Sequence, residues 1–166
     1  MMKKYILIAI FSIFATAAFA QTTSLPNISV KSLDGTTVNI ADIDNEGKPI
    51  VLSFWALWCK PCITELTNIN EVYADWEEET GVKIYAVSID DSRNSSRVLP
   101  FVNARSWEYD VLLDANGDLK RAMNVVNVPH TFLLDGNKNI VYQHTSYSPG
   151  DEEELFEKIL ELSNPN

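Results

Sequence analysis

The chain has 166 residues, with 13 basic and 23 acidic side chains and a formal net charge of −10 at pH 7. Such an acidic chain is a poor candidate for binding nucleic acid, because that function requires a basic surface, and we expect no nucleic-acid partner. The length is sufficient for one domain with a substantial core. A secreted domain held together by disulfides would contain several scattered cysteines, whereas this chain has two, Cys59 and Cys62. We therefore expect this pair to serve chemistry.

The first twenty residues have the pattern of a secretory signal peptide. Lys3 and Lys4 form a basic start, an apolar run follows, and an A-x-A cleavage site ends at Ala20. The apolar run is shorter than the about 20 residues that span a membrane, although an uncleaved anchor is the alternative. Gln21 follows the site where a lipoprotein would have cysteine. We expect cleavage after Ala20, a mature domain of residues 21–166 with net charge −12, and a periplasmic location.

The first elements of the mature domain are predicted on either side of the cysteines. Residues 28–40 alternate around an Asp-Gly turn, which predicts a β-hairpin. Residues 50–54 form a short apolar run typical of a buried strand. After the cysteines, apolar residues recur every three or four positions to about Glu79, and Gly81 is a natural end for this helix.

The rest of the chain predicts an α/β fold. Residues 82–90 indicate a central strand, so the two flanking strands and the helix between them form a βαβ unit with parallel strands. The patterns that follow predict a helix, a short strand, one or two helical turns, a β-hairpin and a closing helix, at residues 98–105, 111–113, 119–123, 131–145 and from about 148.

Cys59 and Cys62 lie where the apolar strand ends and the helix begins. The first turn of a helix carries unpaired N–H groups and a partial positive charge, which favour the Cys59 thiolate. Lys60 adds positive charge, and Pro61 suits the first turn because its missing N–H would be unpaired anyway. Cys62 lies one turn along the helix, close enough to form a disulfide with Cys59. The spacing indicates a redox-active dithiol.

Two segments resemble the thioredoxin superfamily. Residues 54–62, Phe-Trp-Ala-Leu-Trp-Cys-Lys-Pro-Cys, resemble its active-site stretch, and residues 128–135, Val-Pro-His-Thr-Phe-Leu-Leu-Asp, resemble the segment that carries its cis-proline. With the signal peptide, the chain is similar to the exported TlpA/ResA-like thiol-disulfide oxidoreductases of bacteria. The resemblance runs from about Leu25 to the C-terminal helix. It implies a thioredoxin-like fold with a central mixed sheet, here preceded by a β-hairpin.

The resemblance implies a function in disulfide exchange, without a cofactor or metal. The Cys59 thiolate attacks a disulfide of an exported partner protein, and Cys62 resolves the mixed disulfide. Pro129 is expected to be cis and to face the dithiol, and Val128 to pair with substrate through its backbone. The resemblance favours a reductase that is re-reduced by a membrane electron donor and serves cytochrome c maturation. We expect the protein to be a monomer.

Three further residues are expected to contribute to the substrate surface. Trp58, Lys60 and Pro61 flank the nucleophile, and Trp58 and Trp55 are both interpreted as a substrate platform and as packing around the active-site loop. His130 follows the proline and is expected to be a surface-facing side chain rather than a metal ligand.

Glu65 is the candidate proton acceptor for Cys62. Thioredoxin has a buried Asp where this chain has Ser53, and a kinking proline in the active-site helix where it has Thr67. The TlpA/ResA-like proteins often carry a Glu three residues after the second cysteine, as Glu65 does here. Residues three apart share a helix face, so this carboxyl group can approach Cys62. A solvated glutamate on the helix surface is the alternative.

Other functions remain possible at this point. The pair could be a structural disulfide, and a structural zinc site would need more ligands than two cysteines and two poorly spaced histidines. A peroxiredoxin would need Thr or Ser three residues before its reactive cysteine, where this chain has Ala56, and a proline where it has Leu52. A copper- or haem-delivery chaperone could use Cys59, Cys62 and His130 as soft ligands.

Overall fold

The computed structural model describes residues 25–163. The predicted signal peptide lies outside these residues. The described part forms a seven-stranded sheet with four α-helices. The strands are β1 Ser29–Ser32, β2 Thr37–Asn39, β3 Ile50–Trp55, β4 Lys83–Ser88, β5 Asp110–Leu113, β6 His130–Leu134 and β7 Ile140–Thr145. The helices are α1 Lys60–Thr80, α2 Val98–Arg105, α3 Asp118–Ala122 and α4 Asp151–Ser163.

The sheet is mixed, with the order β2-β1-β5-β4-β3-β6-β7. Strands β3, β4 and β5 are parallel, so the predicted βαβ unit is present around α1. Strands β6 and β7 form the predicted second hairpin, and β6 pairs antiparallel with β3. The predicted N-terminal hairpin, β1–β2, joins the sheet through β5. The other boundaries move by at most two residues, and α4 begins at Asp151 rather than near residue 148.

Helix α1 begins and ends where the sequence predicts. Cys59 is its N-cap residue, and Pro61 lies in its first turn, where no intrahelical N–H bond is lost. Gly81 ends the helix with φ of 66°, a left-handed conformation that glycine adopts without the steric cost of a side chain. Its N–H donates to the carbonyl of Glu77. The dithiol is therefore held at the rigid first turn of a 21-residue helix.

The two faces of the sheet carry separate hydrophobic cores, because alternate residues of each strand point to opposite faces. Helices α1, α2 and α4 cover one face, and the cluster there contains both cysteines, Trp55 and Leu66. The opposite face is covered by the N-terminal segment and α3, and its cluster contains Phe54 and Phe132. All six residues of β3 are buried, as expected for a central strand with both faces covered. Within residues 25–163, no helix combines the length and the hydrophobicity that crossing a membrane demands.

Candidate active site

The two cysteines are joined in a disulfide at the N-terminus of α1. The Sγ of Cys59 accepts a hydrogen bond of 3.3 Å from the backbone N–H of Cys62, which is a cap of the kind that serines and threonines make. Cys59 is 4% exposed and Cys62 is fully buried. The structure thus shows the oxidised form, with the sulfur nearer to solvent at the helix tip.

A buried carboxylate holds the loop between β3 and α1. Oδ2 of Asp90, at the end of β4, accepts hydrogen bonds from the backbone N–H of Leu57 and the hydroxyl of Ser88, both at 2.9 Å. Trp55 is fully buried and packs its ring 5.0 Å from Trp107. Trp55 is therefore a packing residue, and the predicted double role as a platform is wrong for this side chain.

Exposed side chains surround the dithiol. Trp58 is 70% exposed, and Lys60 and Pro61 are exposed beside it. A pocket of about 290 Å³ lies along the same side of α1 and is lined by Lys60, Pro61, Thr64, Tyr147 and Pro149.

The loop before β6 contains a cis peptide bond between Val128 and Pro129, as the resemblance implies. Pro129 is buried, and its carbonyl accepts a hydrogen bond from the backbone N–H of Ser146. Val128 is partly buried and packs against the cluster that contains both cysteines. Val126, two residues earlier, is 73% exposed. The loop therefore combines a fixed backbone with an exposed apolar tip.

Glu65 is buried, with an exposed fraction of 1%, so the alternative of a solvated surface glutamate is wrong. Its Oε1 accepts a hydrogen bond of 2.8 Å from the hydroxyl of Thr131 and lies 3.2 Å from Nε2 of His144. Its Oε2 is buried without a protein partner. Burial of a carboxyl group costs free energy unless the group is hydrogen-bonded. The contacts with Thr131 and His144 therefore offset the cost of burying Glu65.

Thr131 links Glu65 to the sheet. Its hydroxyl lies 3.2 Å from the hydroxyl of Ser53 on β3. Because a threonine hydroxyl has one hydrogen, donation to Glu65 leaves Ser53 to donate to Thr131. Ser53 is thereby linked to the Glu65 carboxyl group of α1 through Thr131. The polar side chains of the network, Ser53, Thr131, Glu65 and His144, come from four different elements.

Three phenols surround this network and remain protonated near neutral pH. Burial and then the Glu65 carboxyl group raise the pKa of Tyr109, whose hydroxyl donates to the carbonyl of Leu66. Burial and then Glu154 raise the pKa of Tyr142. Burial and the hydrogen bond to Glu152 raise the pKa of Tyr147 to about 12.

His130 is buried, at 8% exposure, so the expectation of a surface-facing side chain is wrong. Residues alternate along β6, and since Thr131 faces α1, His130 points to the other side of the sheet. There its ring stacks on Phe132 at 4.2 Å and its Nε2 lies 3.1 Å from Gln143. Burial lowers its pKa. This placement does not bring His130 together with the two cysteines as a ligand set, and residues 25–163 contain no group of three His, Cys, Asp or Glu side chains that could hold a metal ion.

Three residues of the site escape sequence reasoning: Asp90, Thr131 and His144. Asp90 had a signal, because a polar residue at the end of a buried parallel strand lies at the edge where sites form. Thr131 is part of the cis-proline segment. No signal in the sequence pointed to His144, because its partner Glu65 lies 79 residues away along the chain.

Comparison with known proteins agrees with this geometry. The model of the AhpC/TSA family matches residues 22–143. The thiol-disulfide oxidoreductase ResA of Bacillus thuringiensis subsp. konkukian is 30% identical over 135 residues, which cover 81% of this chain and 75% of that protein. The sporulation thiol-disulfide oxidoreductase A of Bacillus subtilis is 29% identical over 129 residues, or 77% of this chain and 74% of that protein.

Solved structures show the same fold. An uncharacterized thioredoxin-like protein from Porphyromonas gingivalis is 52% identical, with a TM-score of 0.76 over 84% of this chain and 91% of that one. A putative thiol:disulfide interchange protein DsbE from Chlorobium tepidum is 28% identical, with a TM-score of 0.74 over 85% and 96%. Peroxiredoxin Q of Xanthomonas campestris, at 18% identity, shares the fold alone. The chain belongs to the AhpC/TSA family and is a thiol-disulfide oxidoreductase with a thioredoxin-like fold, similar to ResA.

Proposed function

We propose that this protein is an exported reductase that exchanges its Cys59/Cys62 dithiol with disulfides of other exported proteins. The observation that carries the proposal is the placement of the dithiol at the N-terminus of α1, with the cis Val128–Pro129 bond in the loop before β6. In the reduced protein the Cys59 thiolate attacks the partner disulfide and forms a mixed disulfide. Cys62 then attacks Cys59 and releases the partner in reduced form.

The order of attack follows from exposure and from the helix terminus. Cys59 caps α1, where backbone N–H groups and the helix dipole favour a negative sulfur. Cys62 is fully buried inside the first turn, where a thiolate is disfavoured by desolvation. Cys62 therefore needs a proton acceptor when it resolves the mixed disulfide. Glu65 supplies one in this proposal, because it is buried three residues along the same helix and its Oε2 has no hydrogen-bond partner in the protein.

The exposed side chains around Cys59 fit an extended segment of a partner protein. Trp58 offers an apolar surface, Lys60 and Pro61 form one wall of the neighbouring pocket, and the backbone of Val128 before Pro129 is available for pairing. Main-chain hydrogen bonds to an extended segment provide affinity with little dependence on its sequence. A reductase with several partners would benefit from this mode of binding.

Trapping of partners tests the order of attack. Cys62→Ala is expected to accumulate mixed disulfides with exported proteins, because Cys59 still attacks and nothing resolves the product. Cys59→Ala is the matched control and is expected to trap none. Equal trapping by both variants, or faster alkylation of Cys62 than of Cys59 in the reduced protein, would contradict the assignment.

The direction of electron flow is proposed from the buried carboxyl group. A negative charge beside the dithiol disfavours a thiolate, and a stabilised reduced form is what makes a dithiol a strong oxidant. We expect a reduction potential closer to the about −270 mV of thioredoxin than to the about −120 mV of a strong oxidant. Redox titration of the purified protein measures it, and a value near the oxidising end would reject the reductase. In the proposed function, a membrane electron donor re-reduces the oxidised protein, and the protein serves cytochrome c maturation.

Export is proposed from the signal-like first twenty residues. Mass spectrometry of protein from an envelope fraction is expected to find an N-terminus at Gln21 in the periplasm. Intact Met1 or Met2 on protein in the cytosol would contradict export.

A further inference from the structure

We propose that His144 is the residue through which the buried Glu65 carboxyl group exchanges its proton with solvent. The proposal rests on the proposed function, in which Glu65 accepts the proton of Cys62 during resolution. A proton acceptor that is 1% exposed must be able to lose its proton again before the next turnover. The question is therefore which contact of Glu65 leads out of the protein.

The contacts of Glu65 point in two directions. The Thr131 hydroxyl, 2.8 Å from Oε1, leads inward to Ser53, which is fully buried on the central strand β3. Nε2 of His144, 3.2 Å from the same oxygen, lies on β7, the strand at the edge of the sheet. The His144 side chain is 16% exposed, against 1% for Glu65. Of these two contacts, His144 is thus the one that reaches solvent.

The histidine ring has the chemistry that this position requires. Imidazole is the side chain whose ordinary pKa lies near neutrality, so it can take and release a proton at physiological pH. Nε2 of His144 faces Glu65, and Nδ1 has no protein partner. The tautomer with its hydrogen on Nδ1 can take the Glu65 proton at Nε2. Nδ1 is itself buried, so the proton leaves the ring when a water molecule reaches this unpartnered nitrogen.

Resolution forms one S–S bond, breaks another and moves one proton. The Cys62 thiol gives its proton to the Glu65 carboxylate, and the resulting thiolate attacks the sulfur of Cys59. The Cys59–Cys62 bond forms, the bond between Cys59 and the partner breaks, and the partner leaves as a thiolate that carries the electron pair. The proton then passes from Glu65 to His144 and from His144 to water, where the partner thiolate can take it up.

Other titratable groups near this pair do not offer the same route. Tyr109, Tyr142 and Tyr147 have raised pKa values and stay protonated, and His130 faces the other side of the sheet. Three acidic residues of α4, Asp151, Glu152 and Glu154, act on the phenols Tyr142 and Tyr147. Glu152 accepts a hydrogen bond from Tyr147 and Glu154 one from Tyr142, so both contact the phenols rather than Glu65.

The test separates attack from resolution in the reduced full-length mature protein. Reduced protein mixed with excess dithiobis(nitrobenzoate) in a stopped-flow instrument releases nitrothiobenzoate in two phases. The first phase, attack by Cys59, depends on the reagent concentration, and the second, resolution by Cys62, does not. Both rates are measured from pH 5 to pH 9 for wild type, Glu65→Gln, His144→Gln and the double variant. His130→Gln is the matched control, because it removes the other histidine from the opposite face of the sheet.

We expect His144→Gln to slow the second phase and to change its pH profile, with the first phase unchanged. The loss should not exceed that of Glu65→Gln, which general acid–base catalysis places at about 10²–10⁴-fold at most. The double variant should be no slower than Glu65→Gln alone, because the two residues act in series. His130→Gln should keep the pH profile of wild type. Added imidazole should speed the second phase of His144→Ala and not that of Glu65→Gln.

Several outcomes would overturn the proposal. Glutamine can still donate a hydrogen bond to Glu65. If the second-phase rate of His144→Gln depends on pH as in wild type, His144 makes only a structural contact. Equal slowing of both phases, or no rescue of His144→Ala by imidazole, would lead to the same conclusion. A second phase that Glu65→Gln leaves unchanged would reject the route while the first phase still reports Cys59 chemistry. Absence of a first phase would instead reject the proposed function.

Discussion

Replacement of Thr131 by Val is expected to destabilise the protein by removing the hydroxyl that bonds to Glu65 and Ser53, and the bond to Glu65 is the shorter of the two. Valine has nearly the same shape and suits a strand, so packing and backbone preference change little. The hydroxyl that is lost donates to the buried Oε1 of Glu65 at 2.8 Å. A hydrogen bond to a charged group contributes about 1.5–3 kcal/mol, and a neutral one about 0.5–1.5 kcal/mol. If Glu65 is ionised at pH 7, the free energy of unfolding should fall by the larger amount.

This amount is measurable by thermal and denaturant unfolding of the reduced protein. For a chain of this size, each 1 kcal/mol corresponds to about 2–4 °C in Tm, so Thr131→Val should lower Tm by about 3–12 °C. Thr145→Val is the matched control, because Thr145 is exposed on β7. It should change Tm little. The resolution rate of Thr131→Val should also fall, since the carboxyl group loses one of the two contacts that orient it.

The comparison in a Glu65→Gln background decides whether the charge matters. There the Thr131 hydroxyl donates to a neutral amide, so Thr131→Val should cost only about 0.5–1.5 kcal/mol. The difference between the two backgrounds is the coupling between Thr131 and the carboxylate. Equal costs in both backgrounds, or a cost for Thr131→Val no larger than that of Thr145→Val, would refute the view that Thr131 supports an ionised Glu65.

Three more predictions concern stability. Burial lowers the pKa of His130, so the unfolded state binds its proton first as pH falls through about 6.5. The Tm of wild type should therefore fall relative to that of His130→Gln below this pH, and a pH-independent difference would contradict this. A Cβ at Gly136 would lie 2.0 Å from the carbonyl oxygen of Gly47, so Gly136→Ala should cost about 1–3 kcal/mol or more, and an unchanged Tm would exclude the clash. Glu79→Lys at the end of α1 should add about 0.3–1 kcal/mol at low salt and less at high salt, and a loss of Tm would be the wrong sign.

Features that depend on neighbouring residues in the chain could be predicted from the sequence, and most features that depend on distant contacts could not. The position of the dithiol could be predicted because it depends on neighbours in the chain: an apolar run before it, a helical repeat after it and Pro61 in the first turn. The end of α1 at Gly81 and both hairpins have local causes of the same kind. The cis bond at Pro129 is different, because it follows from the family resemblance and not from any local preference.

Only the tertiary structure decided which of the polar residues meet. Glu65 could be placed near Cys62 by helix spacing, but its burial depends on β6 and β7 packing beneath α1. Period-two alternation puts His130 and Thr131 on opposite faces of β6, yet it does not say that both faces are covered. The contact between Glu65 and His144 joins residues 79 positions apart, and no local pattern encodes such a pairing. The sequence determined the chemistry of the two sulfurs, and the packing of helix on sheet determined the route that we propose for their proton.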